Sequence, residues 1–270
     1  MLYICRIKAF LLKTIIALFL FAVILASCSK TTTPTAGNPH NPIMMIVNAS
    51  PNSNPLGLYV NSGTIFSSLA YTKTYGYFQL GQGAFSMQFF RTDTAKTFLQ
   101  DTLIDANNDT TYVNTDSLLY QIITTVTLDT ANINVQADSA YSLFLIDSAS
   151  KLKSVLVTDK LSDSASGGSK IRFFNFSPNA PALDFAISGN VVFSNRTFND
   201  ISANKSLSIF SAQTTGSYTI DVRLAGTSTV VATLTGVTFA TGKHYTVYAK
   251  GFYGVTTGTQ TFGIGVIANN

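Results

Sequence analysis

The 270-residue chain is rich in apolar residues (46%) and poor in charge (11%), well under the roughly 25% charged residues of an average soluble domain. Its formal charge of +4 overstates its basicity, because Arg6, Lys8 and Lys13 lie in a leader segment; without them the 17 cations fall to 14, against 13 acids, all of them Asp. That balance excludes a basic nucleic-acid-binding face, and two Cys, two His and no Glu leave little material for metal or acid–base chemistry.

Residues 1–27 read as a cleaved signal peptide. Arg6, Lys8 and Lys13 form a cationic start, and the apolar run 15–25 is too short for the roughly 18 or more residues of a spanning helix. The run ends in Leu25-Ala26-Ser27-Cys28, which resembles the lipobox of bacterial lipoproteins. The resemblance implies cleavage before Cys28 and a diacylglyceryl group on its thiol. The expected location is the cell envelope, lipid-anchored. Ser29 stands where inner-membrane retention favours Asp, which suggests the outer membrane. Cys5 leaves with the leader, so the folded part holds no thiol. Residues 28–42 are polar and broken by Pro34, Pro39 and Pro42; they read as a lipidated tether reaching at most about 45 Å.

From residue 43 the chain says one thing twice. Val47-Asn48-Ala49-Ser50-Pro51-Asn52 returns as Phe174-Asn175-Phe176-Ser177-Pro178-Asn179, and Leu56, Leu58 and Val60 fall on Leu183, Phe185 and Ile187 at the same offset. This predicts a duplicated β-domain: copy one over 43–160, a linker over 161–170 rich in Ser and Gly, and copy two over 171–270. In copy one, strands are expected over 44–47, 56–60, 77–80, 85–90, 118–128, 140–146 and 152–158, with Gly81-Gln82-Gly83 as a hairpin turn. In copy two they are expected over 171–176, 183–187, 206–210, 218–224, 229–234, 245–249 and 261–266. Turn residues separate them as in an all-β, antiparallel, immunoglobulin-like sandwich, and no amphipathic helix is evident. Phe85 to Tyr141 spans 56 residues and the matching Tyr218 to Tyr245 spans 27, so copy one carries an insert of about 29 residues within 91–139.

The opening Asn48-Ala49-Ser50-Pro51 and its repeat, with Asp184 after Leu183, resemble the start of the bacterial envelope module catalogued as domain of unknown function 4397. The segment 240–247, Ala-Thr-Gly-Lys-His-Tyr-Thr-Val, is similar to its closing strand. Copy one departs from the pattern at Gly57, where copy two has Asp184. The resemblance implies tandem extracytoplasmic β-sandwiches and supplies no catalytic residue.

Candidate chemistry is sparse. His40 lies in the tether, and His244 opens a strand whose Tyr245, Val247 and Ala249 face inward, so His244 is expected at the surface. Lys151, Lys153 and Lys160 read as a solvated strand edge. The aromatic window holding Tyr71, Tyr75 and Tyr77 offers a possible glycan platform or an ordinary core. Asp105, Asn107, Asp109 and Asp116 place oxygen ligands at positions one, three, five and twelve of a partial calcium loop, with Thr110 where the turn requires Gly; the competing reading is a solvated hairpin tip. No other cofactor is expected. The sequence therefore predicts a non-catalytic envelope lipoprotein acting as a structural or interaction module with a protein or glycan partner. A glycan-binding lipoprotein assisting adhesion or uptake is the alternative, and no nucleic acid is involved.

Overall fold

The computed structural model describes residues 41–104, 107, 110–161 and 167–269. Pro39–Asn270 forms one compact unit; Met1–Asn38 falls outside the described residues. The chain is all-β. Copy one contributes β1 (Ile43–Asn48), β2 (Leu56–Val60), β3 (Gly63–Leu69), β4 (Thr74–Gln79), β5 (Gly83–Ile104), β6 (Thr110–Val135), β7 (Ala140–Ile146) and β8 (Lys153–Asp159). Copy two repeats the series as β9 (Ser169–Asn175), β10 (Leu183–Ile187), β11 (Asn190–Arg196), β12 (Ser211–Gln213), β13 (Gly216–Leu224), β14 (Val230–Phe239), β15 (His244–Lys250) and β16 (Gly263–Ala268).

Each copy is a sandwich of two four-stranded sheets with identical strand order. An inner sheet β4-β1-β7-β8 lies on an outer sheet β3-β2-β5-β6, and an inner sheet β12-β9-β15-β16 lies on an outer sheet β11-β10-β13-β14. The sheets are antiparallel except at one place in each copy, where β1 runs parallel to β7 and β9 to β15. Five strands intervene between these neighbours, so no tight turn dictates their relative direction. Gly81-Gln82-Gly83 joins strands of different sheets instead of closing a hairpin, because Leu80 N–H donates to Pro42 O and holds β4 in the inner sheet. The strand expected over 206–210 is a 3-10 turn, Lys205–Ser208, preceded by a one-turn helix α1 (Asp200–Ala203).

The repeated Asn-x-Ser-Pro-Asn motif is accounted for by folding. Asn48 Oδ1 accepts from Ser50 N and its Nδ2 donates to Leu69 O; Asn175 does the same with Ser177 N and Arg196 O. Asn52 Oδ1 accepts from Ala149 N, and Asn179 Oδ1 accepts from Tyr253 N, each at 2.7 Å. The first Asn closes an Asx turn after the first strand, and the second pins that turn to the loop after the seventh. Tyr141 and Tyr245 are likewise matched: each hydroxyl accepts from a backbone N–H five residues upstream, Gln136 and Ala240, as in a tyrosine corner.

Side chains alternate along β1, so Met44 and Ile46 pack toward the outer sheet with Leu58, Phe89 and Leu143, while Met45 and Val47 point the opposite way. There they meet copy two. Met45, Val47, Phe144, Val155 and Val157 share one buried cluster with Phe174, Phe176, Tyr248 and Ile267. Phe144 lies edge-on to Phe174 and tilted on Phe176 at centroid distances of 5.5 and 5.0 Å. The third cluster, built on Phe173, Phe185, Ile220 and Val247, fills copy two. The sheets thus stack outer, inner, inner, outer. The expected linker over 161–170 overlaps the start of β9, so residues 160–168 separate the strands of the two copies, and their cores are continuous across the junction. An inner sheet covered on both faces explains the unbroken apolar runs of β1, β7 and β9.

Candidate functional site

Two features stand apart from the repeated framework: a buried polar cluster at the junction and a long hairpin on copy one. The junction cluster centres on Asp159, at the end of β8, and Arg172 on β9. Arg172 Nη2 donates to Asp159 Oδ1 at 2.6 Å, and both side chains are fully buried. Tyr77 Oη and Ser142 Oγ each donate to Asp159 Oδ2 at 2.6 Å. Arg172 Nε donates to Thr246 Oγ1, which donates to Asn269 Oδ1, and Asn269 Nδ2 reaches Tyr77 and Ser142. The Phe210 ring lies 4.2 Å from the guanidinium carbon. Burial pulls the Arg172 guanidinium below its usual value, with Asp159 opposing, and burial, then Asp159, pushes the Tyr77 hydroxyl up.

The cluster is a broken symmetry. Strand register makes Ser142 equivalent to Thr246 and Asp159 to Asn269, and the repeat offset makes Met45 equivalent to Arg172. Copy one therefore supplies Met and Asp where copy two supplies Arg and Asn, and the charges pair across the junction. Every polar partner is internal to the protein, so this arrangement fixes one copy on the other.

The hairpin is the insert. β5 and β6 contain 22 and 26 residues against 9 and 10 in their counterparts β13 and β14, a difference of 29. β5 pairs with β2 only as far as Phe90, opposite Gly57. Beyond it, fourteen residue positions, 91–104, continue paired to β6 alone, a two-stranded ribbon about 45 Å long at 3.3 Å per residue. Direction matters here. Leu80 bonds to Pro42 and Ile43 N–H to Ser139 O, so the base of the hairpin lies at the pole where the chain enters β1. Phe90 lies at the other pole, beside the start of β2, so the ribbon leaves opposite the N-terminal entry.

The two hairpins differ in their surroundings at Gly57 and its counterpart Asp184. In copy two Asp184 accepts hydrogen bonds from Asn195 N and Gly226 N, capping the short β13–β14 turn. In copy one the Phe90 ring occupies the space over Gly57, where any Cβ would collide with it, and stacks on Tyr59 at 4.3 Å.

The remaining expected residues do not assemble into one site. A register shift in β4 puts Tyr75 and Phe78 on the same face, opposite Ile46 and Met44. Tyr75 packs on Phe66 and Phe78, 36% exposed, whereas Tyr77 points into the junction. Tyr71 lies in a cleft with Pro51, Asn52, Lys250 and Gln260, its hydroxyl pushed up to about 12 by burial. The three rings thus face three surroundings and make no flat platform. His244 is 3% exposed and lies edge-on to Phe210; the expectation of a surface His fails because Phe210, from the segment after the 3-10 turn of the same copy, packs on its face of the sheet. Of the calcium-loop residues, Asp105 and Asp109 lie outside the described residues and Asn107 lies in the turn. Asp116 lies within β6, six residues past Thr110. Among the described residues no group of three His, Cys, Asp or Glu could hold a metal ion. Cys28 lies outside the described residues.

The family model for a domain of unknown function, DUF4397, matches residues 44–121 and 120–186, just over half of the chain. The chain belongs to the DUF4397 family. The two matched segments meet in β6, and the second runs through β7 and β8 into β9 and β10. No curated protein matches the chain. Among solved structures, a proposed adhesin from Bacteroides ovatus is 9% identical, over 86% of this chain and 93% of that one, with a TM-score of 0.19, a likeness too loose to bear on function.

Proposed function

We propose that this DUF4397 protein is a non-catalytic lipoprotein of the cell envelope, probing its surroundings with the β5–β6 ribbon. In this reading residues 1–27 are removed, Cys28 carries lipid in the outer membrane, and residues 28–42 tether the body. The observation that carries it is the direction of the ribbon. A chain anchored through its N-terminus holds the entry pole of the sandwich toward the membrane, and the ribbon leaves from the pole opposite. Loops and extensions displayed by a rigid sandwich are where binding resides. The fused inner sheets support the arm: a single cooperative body resists the torque that a flexible two-domain linker would pass on. An isolated two-stranded ribbon is marginal in water, and Ile122 and Ile123 on it are 50% and 64% exposed, which favours a partner that covers them.

The test trims the ribbon. Residues 92–125 are replaced by Asn-Gly, joining the paired residues Arg91 and Val126, and envelope complexes are recovered from cells after mild cross-linking. The trimmed protein should stay membrane-bound and folded while losing its cross-linked partner. Unchanged complexes would remove the arm from the account; release of the intact protein into the soluble fraction would remove the anchor.

A further inference from the structure

The outer edge of β8 is an unfilled strand position with walls on both sides. β8 is the last strand of its inner sheet, and no strand or described side chain bonds to residues 153–158 on that side. One wall is β6. The other is the segment of copy two that includes α1 and the 3-10 turn, where copy one has a short turn instead. Between them two cavities of about 540 and 450 Å³ lie end to end along β8, and both touch Leu156. Seven residues of β8 make the groove about 20 Å long, a strand's length.

Charge is distributed along it. Lys160 and Lys205 flank the end near Phe210, both exposed and without an ion pair or side-chain hydrogen bond among the described residues. Neighbouring Asp159 does not neutralise them, because it is buried against Arg172. Ile209, 55% exposed, and the half-buried Phe210 add an apolar wall at this end. At the other end Asp129 carries a buried Oδ2 with no hydrogen-bond partner.

We propose that this groove takes an extended peptide strand from a partner protein, added to the inner sheet alongside β8. Its carboxylates lie over Lys160 and Lys205 and an apolar side chain lies against Ile209 and Phe210. An unpaired edge presents alternating N–H and C=O groups that a strand satisfies in register, and a small anion does not. Charge complementarity then fixes which end of the strand sits where. The walls come from different copies, so the groove exists because the copies are fused face to face. The site does not involve the ribbon beyond Phe90, so it stands or falls separately from the arm.

The probe is a fluorescein-labelled heptapeptide of alternating Val and Thr with two Asp at one end, titrated by anisotropy into the full chain in detergent. Saturable binding is expected. The double variant Lys160→Glu/Lys205→Glu should weaken it by about tenfold or more, 0.5 M salt should do likewise, and a peptide N-methylated at alternate residues should lose it, since N-methylation blocks strand pairing. Both lysines are exposed, so the variant should keep the wild-type melting temperature. No saturation at millimolar peptide, indifference to charge reversal, or equal binding of the N-methylated peptide would overturn the site. Self-association of the chain that disappears on trimming 92–125 and on charge reversal would make the chain's own ribbon the occupant, and would overturn a foreign strand.

Discussion

Replacing Arg172 and Asp159 by the residues of the opposite copy tests how the junction is held. Arg172→Met installs the residue that stands at Met45, and Asp159→Asn installs the one at Asn269. Alone, Arg172→Met leaves a carboxylate with no exposed side-chain surface, still receiving hydrogen bonds from Tyr77 and Ser142 but without a countercharge. Alone, Asp159→Asn leaves the guanidinium between Phe174 and Phe210. Stranding one member of a buried pair costs about 3–5 kcal/mol, whereas replacing both is often close to neutral. The single variants should therefore each lose about 3–5 kcal/mol, and the double variant should lie within about 2 kcal/mol of wild type. The assay is urea unfolding followed by circular dichroism, with the coupling taken from the cycle. A double variant that loses the sum of the singles, about 6–10 kcal/mol, would refute the pairing argument. All four proteins should unfold in one transition because the aromatic cluster of Phe144, Phe174 and Phe176 belongs to both copies; two separated transitions would contradict a shared core.

Four further outcomes are expected. Phe185→Ala, which empties a fully buried position stacked on Phe173 at 4.9 Å, should cost about 3–5 kcal/mol in the same unfolding assay. Gly57→Asp should displace Phe90 and lower the melting temperature, whereas Asp184→Gly should loosen the β13–β14 turn without lengthening it; equal tolerance of Asp at both sites would contradict the assigned roles. Burial raises the Tyr71 hydroxyl to about 12 and holds those of Tyr77 and Tyr248 above the ordinary tyrosine value of 10.0. The folded state thus keeps protons that the unfolded chain releases, so stability should be complete below pH 10 and fall toward pH 12, less steeply in Tyr77→Phe; a flat urea midpoint across that range would exclude the effect. Mass spectrometry of the mature N-terminus should find an acylated Cys28, and Cys28→Ala should shift the protein out of the detergent phase.

Much of the fold was legible because each strand had to be written twice. The offset of 127 located β1 to β3 against β9 to β11, and the tyrosines at 141 and 245 measured the insert to the residue. What the repeat could not convey was how the copies meet. Alternation along β1 reads the same whether Met45 and Val47 face water, a membrane or another sheet. His244 is a related case: alternation along β15 places Tyr245, Val247 and Ala249 inward and says nothing of Phe210, 34 residues upstream, which packs on the His244 face. The aromatic window misled through a local irregularity, a bulge at Gly76-Tyr77 that sends Tyr75 and Tyr77 to opposite faces. The β8 groove was invisible as a site, although Lys153 and Lys160 already marked a strand edge, because its second wall is contributed by copy two.

The most direct measurement places a photo-cross-linking residue in the living cell, at Ile123 on the ribbon and, separately, at Val191 on the outer sheet of copy two, both exposed apolar positions. If the ribbon is the binding arm of an anchored body, Ile123 should yield a discrete adduct in the membrane fraction that Cys28→Ala abolishes, while Val191 yields none. Adducts of equal yield at both positions, or none at Ile123 with one at Val191, would contradict the account.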